Sequence, residues 1–254
     1  MDDGSTDKTN EILKDINNIR LVRQDNAGPA AARNLGASIA KGDIILFTDS
    51  DCIPNKDWIQ KMTEPLFKDK NIVGTKGRYK TNQIEPIAKF TQLEYEDKYN
   101  KMKKRKYIDF IDTYSAGFLK EIFVKFDGYD NSFPVACAED IELSYRISSK
   151  GYKMVFIPEA VVYHTHPNTF YDYLKKKYKF AYWRMLALKK NPQKVVNDSH
   201  TPQTMKIQLL LPPLILTSVL IYPFFNTGSI VFAGAIDTFF VTTIPFQLRL
   251  EKRT

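Results

Sequence analysis

Two carboxylates, Asp49 and Asp51, flank Ser50 directly after the apolar run DIILFT at residues 43–48. Such a run reads as a buried strand, and open α/β sheets bind ligands just past strand ends. In an extended turn, residues two apart point the same way, so both carboxylates face a single hard cation. A divalent ion held like this needs a partner with charge to neutralise, most often a diphosphate. Taken alone, Asp-x-Asp is a weak signal, because most such pairs are solvated turns. A second acidic pair, Glu139-Asp140, opens an apolar-periodic stretch at 139–150. Carboxylates are electrostatically favoured at a helix N-terminus, so its position alone explains this pair equally well. His164 closes an extended stretch at 160–164, where a lone histidine is most often a hydrogen-bonded structural residue.

Alternating strands and helices must position these groups. Ser5, Thr6 and Asp7 are N-cap types ahead of Ile12, Leu13 and Ile16, which share one helical face, so a helix over about 7–17 is expected. A short strand at 20–24 and an Ala-rich helix at 28–40, closed by Gly42, follow. After the strand at 43–48, Pro54 is expected to open a helix with Trp58, Ile59 and Met62 on its apolar side. This alternation is that of a parallel sheet covered by helices. Beyond a strand at 72–79 the pattern changes. A long helical stretch at 86–104 ends in the basic residues Lys101, Lys103, Lys104, Arg105 and Lys106, a solvated face. Next come Tyr114-Ser115-Ala116-Gly117, the helix at 139–150 with Leu143, Tyr145 and Ile147, and extended segments at 153–157 and 160–164.

Asp2-Asp3-Gly4-Ser5-Thr6-Asp7, Asn26-Ala27-Gly28-Pro29-Ala30-Ala31-Ala32-Arg33-Asn34, Asp49-Ser50-Asp51, Ala138-Glu139-Asp140 and Tyr163-His164 occur in this order. Together they resemble the inverting family 2 glycosyltransferases of the GT-A fold, over roughly residues 2–184. The resemblance implies an α/β fold with a mixed, mainly parallel sheet flanked by helices, and metal-dependent transfer from a nucleotide diphosphate sugar. It assigns Asp2 and Asp3 to the donor's base and ribose, since carboxylates suit imide N–H and ribose O–H groups. Asn26, Gly28, Arg33 and Asn34 would line the donor pocket, Arg33 as fixed positive charge for a phosphate, while helix geometry explains Gly28 equally well. Asp49 and Asp51 become the donor and metal pair, with Asp51 the direct ligand of Mn2+ or Mg2+. Asp140, beside Glu139, becomes the general base of a direct displacement with inversion at the anomeric carbon. His164 either faces the metal and diphosphate or stays structural, and the segment at 114–117 either underlies the acceptor or simply packs.

The chain departs from the family pattern in two places. Processive members carry Gln-x-x-Arg-Trp after the histidine; here the stretch reads Lys176-Lys177-Tyr178-Lys179-Phe180. Lys179 then stands in for the donor-binding Arg and Phe180 for Trp, which argues against processive synthesis. The family's first strand and helix, and most of its second strand, have no counterpart before Asp2. An N-terminally incomplete domain is therefore expected, and an inactive or truncated homologue that binds donor poorly is the competing reading.

Composition bounds the remaining choices. At 254 residues, 43% hydrophobic and 26% charged, the chain is neither disordered nor collagenous nor a coiled coil. Two cysteines, Cys52 and Cys137, make no disulfide scaffold, and no signal peptide precedes the first helix, so a reducing compartment is expected. The net charge of +8 would ordinarily suggest nucleic acid. However, nine basic residues against the single Asp198 fall within 173–206, which leaves the rest neutral and argues against a nucleic-acid partner. This window abuts an uncharged apolar stretch at 207–225, about the length that spans a bilayer core as a helix. A second stretch at 229–248 is interrupted only by Asp237 and is followed by Arg249, Lys252 and Arg253. The pattern predicts a C-terminal apolar helical hairpin with both ends in the cytoplasm. Pro212-Pro213 and Asp237 favour the alternative, a pair of buried or interfacial helices. The expected organisation is a glycosyltransferase domain at 1–190, a basic linker at 191–206 and a membrane-associated hairpin at 207–254. It would act at the cytoplasmic face of the cell membrane on a lipid-linked or glycan acceptor.

Overall fold

The apolar run after Gly42 forms strand β1 (Ile44–Phe47), with Ile45 and Phe47 buried. The computed structural model describes residues 1–133, 135–194 and 238, and the chain falls into two units, Met1–Ser199 and His200–Thr254. Every element below belongs to the first unit. Apart from Thr238, the expected hairpin at 207–254 lies outside the described residues. Among the described residues, no helix is long and apolar enough to cross a membrane.

Helices α1 (Thr9–Lys14) and α2 (Pro29–Ile39) precede β1. α1 is shorter than expected; it buries no residue, and the chain turns at Asn18 with φ 70°. The strand expected at 20–24 reduces to one parallel bridge between Arg23 and Asp2. α2 starts where expected. Gly28 takes φ 90°, a conformation open to glycine, and Pro29 occupies the first helical turn, where its missing N–H has no partner to lose.

Pro54 does not open a helix. It ends the short strand β2 (Cys52–Pro54), and α3 begins only at Trp58 (Trp58–Lys68). β2 lies at the sheet edge, where a proline costs no ladder bond on its free side. Adding β3 (Ile72–Lys80), β4 (Ala116–Leu119) and β5 (Lys153–His164) gives the order β1-β4-β3-β5-β2. The sheet is mixed, as expected, but it is not mainly parallel. Only β3 and β5 pair in parallel, whereas β1 with β4, β3 with β4 and β2 with β5 are antiparallel. The reversal arises after β3, where α4 (Pro86–Lys103) leads not into a parallel strand but into a single 3-10 turn, Thr113–Ser115. That turn feeds β4 backwards between β1 and β3.

The two extended segments expected at 153–157 and 160–164 are one strand, β5, with a register shift opposite Gly77. A Cβ at Gly77 would lie 2.1 Å from Ser115 Oγ and 2.4 Å from the carbonyl oxygen of Ala160, so only glycine lets the three strands close here. α5 (Lys120–Lys125), α6 (Glu139–Ser149) and α7 (Phe170–Lys190) complete the unit. Leu143, Tyr145 and Ile147 of α6 join Phe47, Phe118, Phe123 and Tyr129 in the main core, as their spacing predicts. A smaller core of Trp58, Met62, Tyr79, Tyr114, Ala160 and Val162 underlies the β2 edge.

Candidate active site

Arg33 joins the two acidic motifs. From the second turn of α2 it donates to Asp49 Oδ1 at 3.0 Å and to Glu139 Oε1 at 2.7 Å, with Tyr129 against its guanidinium at 5.9 Å. Burial opposes its charge, but Glu139, then Tyr129 and Asp49, hold its pKa above the usual arginine value. The acidic turn and the N-terminus of α6, ninety residues apart in sequence, are thereby tied together through one guanidinium. Asp49 is thus engaged by Arg33 and lies outside the cluster of metal-ligating atoms.

That cluster comprises Asp51, Cys52 and His164, whose donor atoms all lie within 4.8 Å of one another. The antiparallel pairing of Cys52 with His164 across β2 and β5 produces it. Asp51 is exposed, with Oδ2 3.5 Å from His164 Nδ1. His164 is buried, yet neither ring nitrogen has a hydrogen-bond partner. Its pKa is lowered, by burial first, against the pull of Asp51, so the imidazole is neutral and its lone pair available. Cys52 is a poor third ligand, because burial and then Asp49 and Asp51 push its thiol up to about 12. Tyr79 stacks on His164 at 4.6 Å and on Tyr114 at 3.4 Å, fixing the imidazole plane from behind. His166 instead bonds Gln92 through Nε2 at 2.9 Å, and burial pushes its pKa down to about 3. A cavity of about 430 Å³ opens beside this cluster, lined by Asp51, Ile53, Gln83, Glu85, Tyr163 and His164 among others.

Glu139 and Asp140 start α6 after Ala138, whose φ of 72° turns the chain sharply into the helix. Glu139 is fully buried and accepts from Arg33 and from the Cys137 N–H at 2.6 Å. Burial, followed by the neighbouring Asp140, pushes its pKa up to about 7 despite Arg33. Asp140 accepts from the Thr113 N–H at 3.2 Å and the Ile141 N–H at 2.8 Å. Burial also raises its pKa, while those two N–H groups, Arg33 and Lys76 oppose the rise. A carboxylate lifted in this way is a stronger base than one in water.

Other residues expected at the donor pocket are engaged with their own chain. Asp2 is buried and accepts from the Ser5 N–H at 2.9 Å; hydrogen bonding from Ser5, its side chain first and then its N–H, lowers the Asp2 pKa. Asp3 accepts from Gln24 at 2.6 Å and from the N–H groups of Ala27 and Gly28 at 2.9 and 3.0 Å, so it shapes the entry to α2. Asn34 donates to the Tyr129 carbonyl at 2.7 Å and accepts from the Tyr129 N–H at 2.8 Å, pinning the loop before α6. Asn26 is exposed beside Asp3, and Gly28 caps α2. Lys179 is exposed on α7; one turn earlier, half-buried Lys176 interacts with Asp51 and Asp49. Its signal was the basic run itself, within which spacing does not say which lysine faces inward. Tyr114, Ser115 and Ala116 pack in the core, with Trp58 Nε1 donating to Ser115 Oγ at 2.8 Å. The pair Lys76 and Asp112, behind Asp140, carried no sequence signal at all.

The profile of the family described as Glycosyl transferase family 2 matches residues 1–126, and that of Glycosyl transferase family group 2 matches 113–246. The chain belongs to the family 2 glycosyltransferases. An uncharacterized glycosyltransferase of Haemophilus influenzae is 36% identical over 105 residues, covering 37% of this chain and 42% of the relative. Hyaluronan synthase of Pasteurella multocida is 24% identical over 261 residues, covering 83% of this chain and 26% of the synthase. The chain therefore spans less than half the length of these relatives. A mannosyltransferase from Pyrobaculum calidifontis, solved with GDP-Man and Mn2+, superposes with a TM-score of 0.60 at 17% identity, covering 92% of this chain and 69% of that one. At that identity the likeness establishes the shared GT-A fold.

The raised pKa of Glu139 has a consequence for stability. Because the folded state holds its proton more tightly than the unfolded chain, Glu139 contributes stability at low pH and loses it as pH rises from about 4.5 through about 7. Glu139→Gln forfeits one acceptor, a cost that does not depend on pH. Unfolding free energies of variant and parent should therefore diverge in the variant's favour by on the order of 2–3 kcal/mol between pH 5 and 8. Parallel pH profiles would show that Glu139 is not strained by its burial.

Proposed function

We propose that this chain transfers a sugar from a nucleotide diphosphate donor to an acceptor hydroxyl, with inversion at the anomeric carbon. The observation that carries this is the Arg33 bridge, which ties the acidic turn to the Glu139-Asp140 pair. Asp140 is the general base: it takes the acceptor's proton as the new carbon–oxygen bond forms and the bond to the diphosphate breaks with its electron pair. Arg33 and Glu139 orient that end of the cleft. Lys176 supplies positive charge beside the acidic turn, where a diphosphate would lie.

The residues at the β2 edge fit a divalent cation. A carboxylate from Asp51 and the unpartnered, neutral imidazole of His164 are a donor set that suits Mn2+, and Mg2+ through the oxygen ligand. When bound, such an ion supplies charge that stabilises the leaving nucleoside diphosphate. The Mn2+ in the Pyrobaculum calidifontis enzyme supports the same choice. Asp51→Asn should abolish metal-dependent donor binding measured by calorimetry while leaving the fold intact. Asp140→Asn should bind donor like the parent but turn over at least about 10²-fold more slowly. Parent-like metal dependence in the first, or parent-like turnover in the second, contradicts the assignment.

We also infer a membrane-linked acceptor at the cytoplasmic face. The reading rests on the apolar stretches at 207–225 and 229–248 and on α7, where Tyr171, Leu174, Tyr178, Tyr182 and Met185 form one exposed stripe among lysines. Lysines near an anionic leaflet contribute about 1 kcal/mol each and are screened by salt, whereas an inserted apolar helix is not. The full chain should therefore stay in the membrane fraction through high-salt and carbonate washes and need detergent for release. Release by salt alone would leave a peripheral enzyme with no requirement for a lipid-linked acceptor.

A further inference from the structure

Lys76 is buried in the middle of β3, with 1% of its surface exposed, in a sheet that otherwise buries apolar groups and small polar ones. Its ammonium is surrounded by aromatic faces, Tyr114 at 4.7 Å and Phe110 at 5.2 Å. It makes two polar contacts: an ion pair with Asp112 Oδ2, and a hydrogen bond donated to the Tyr114 hydroxyl at 3.1 Å. A lysine in such a place costs several kcal/mol of desolvation and offers little net stability even when paired. A leucine or methionine would fill the space at lower cost, so packing does not account for the residue.

What the pair holds is the backbone on which the base rests. Asp112, with φ −83° and ψ 143°, caps the turn Thr113–Ser115, and the Ser115 N–H closes that turn onto the Asp112 carbonyl at 3.3 Å. The next N–H in the chain, that of Thr113, is donated to Asp140 Oδ2. On the other side, Ser144 of α6 accepts from the Ile111 N–H at 3.0 Å and donates to the Asp140 carbonyl at 2.7 Å. The segment 111–113 is thus clamped between β3 and α6, with Lys76 gripping one end. A hydrogen-bond chain runs on from Lys76 through the hydroxyls of Tyr114 and Tyr99, 2.8 Å apart, to the Tyr79 N–H, whose residue stacks on His164. The same buried network therefore reaches both ends of the cleft.

We propose that Lys76 and Asp112 are a positioning pair, which holds the turn so that the Thr113 N–H is aimed at Asp140. This rests on the assignment of Asp140 as the base. Asp140 is faced by Arg33 from α2, Lys76 from β3, Tyr95 from α4, Tyr129 and Cys137 from the segment before α6, and Glu139 beside it. Arg33 and Lys76 are the basic groups among these; burial pushes the Lys76 pKa well below the usual lysine value, and the Asp140 carboxylate opposes that fall while Asp112 sits in ion-pair contact. Removing Lys76 both loosens the N–H donor and leaves the Asp112 carboxylate uncompensated nearby, and each change favours the protonated form of the base.

The test compares pH–rate profiles of Lys76→Met, Thr113→Pro and the double variant Lys76→Met/Asp112→Asn, with donor affinity and thermal unfolding measured on each. Thr113→Pro removes the N–H with little change to the backbone, though it also replaces a buried threonine side chain: Thr113 opens the turn, and the extended conformation of Asp112 is what a residue before proline prefers. Lys76→Met should move the acid limb of the rate profile up by about one pH unit, which lowers turnover roughly tenfold at any pH on that limb and little on the plateau, with donor affinity unchanged. Thr113→Pro should move the limb the same way, and the double variant should recover only the part of the shift that comes from the uncompensated Asp112 carboxylate while keeping the part that comes from the loosened N–H. If these variants change unfolding alone and keep the parent's acid limb, the pair is merely structural and the proposal fails. If Lys76→Met does not fold, Thr113→Pro decides on its own. An active Asp140→Asn would overturn the base assignment instead, whereas an inert Asp140→Asn beside parent-like Lys76→Met and Thr113→Pro profiles removes the positioning pair alone.

Discussion

Arg33 lies between Asp49 and Glu139, and the rest of the cleft depends on that double ion pair. Glu139 is fully buried and has a second carboxylate, Asp140, next to it in the chain. Even with Arg33 in place, burial and the adjacent Asp140 lift Glu139 to about 7, so without that cation the pair would be protonated still more readily. Arginine suits the position because its planar fork reaches both partners at once and does not give up its proton. Its placement in turn explains the neighbouring features. α2 must start at Gly28 to set the helix phase, Asn34 one residue on must pin the loop at 129–131, and Ala138 must turn sharply to present Glu139 inward. Losing Arg33 would leave the buried carboxylates without their cation, a change that typically costs about 3–5 kcal/mol.

Much of this was legible because it is local. The helix at 28–40, the strand at 43–48, the long helix at 86–104 and the helix at 139–150 each follow from periodicity and capping residues, and the structure realises them as α2, β1, α4 and α6. The order of the motifs was enough to identify the family. Strand direction was not legible, since β4 pairs antiparallel for reasons of topology rather than of its own four residues. Pro54 shows the same limit. Its type suits the first turn of a helix or the edge of a sheet equally well, and the tie was broken by β5, more than a hundred residues away.

The site divides similarly. Residue type marked Asp51, His164, Arg33 and Asp140, but type alone does not reveal whether a carboxylate is open to a ligand or already satisfied by the chain. Asp2 and Asp3 belong to a ligand-like motif, yet their oxygens accept from Ser5, Gln24, Ala27 and Gly28. Lys76 is the converse, a lysine with no motif around it that the fold buries behind Asp140. The electrostatic design is legible only in three dimensions: two carboxylates raised by burial, one guanidinium between motifs, and a neutral imidazole with both nitrogens unengaged.

The central claim is a single displacement driven by one base, with no covalent sugar on the enzyme. Stereochemistry tests it most directly, since a single displacement inverts the anomeric carbon and a double displacement restores it. Proton NMR of the glycoside formed from an α-linked nucleotide sugar reads the configuration from the anomeric coupling. The account predicts a β-linked product; an α-linked product would contradict it.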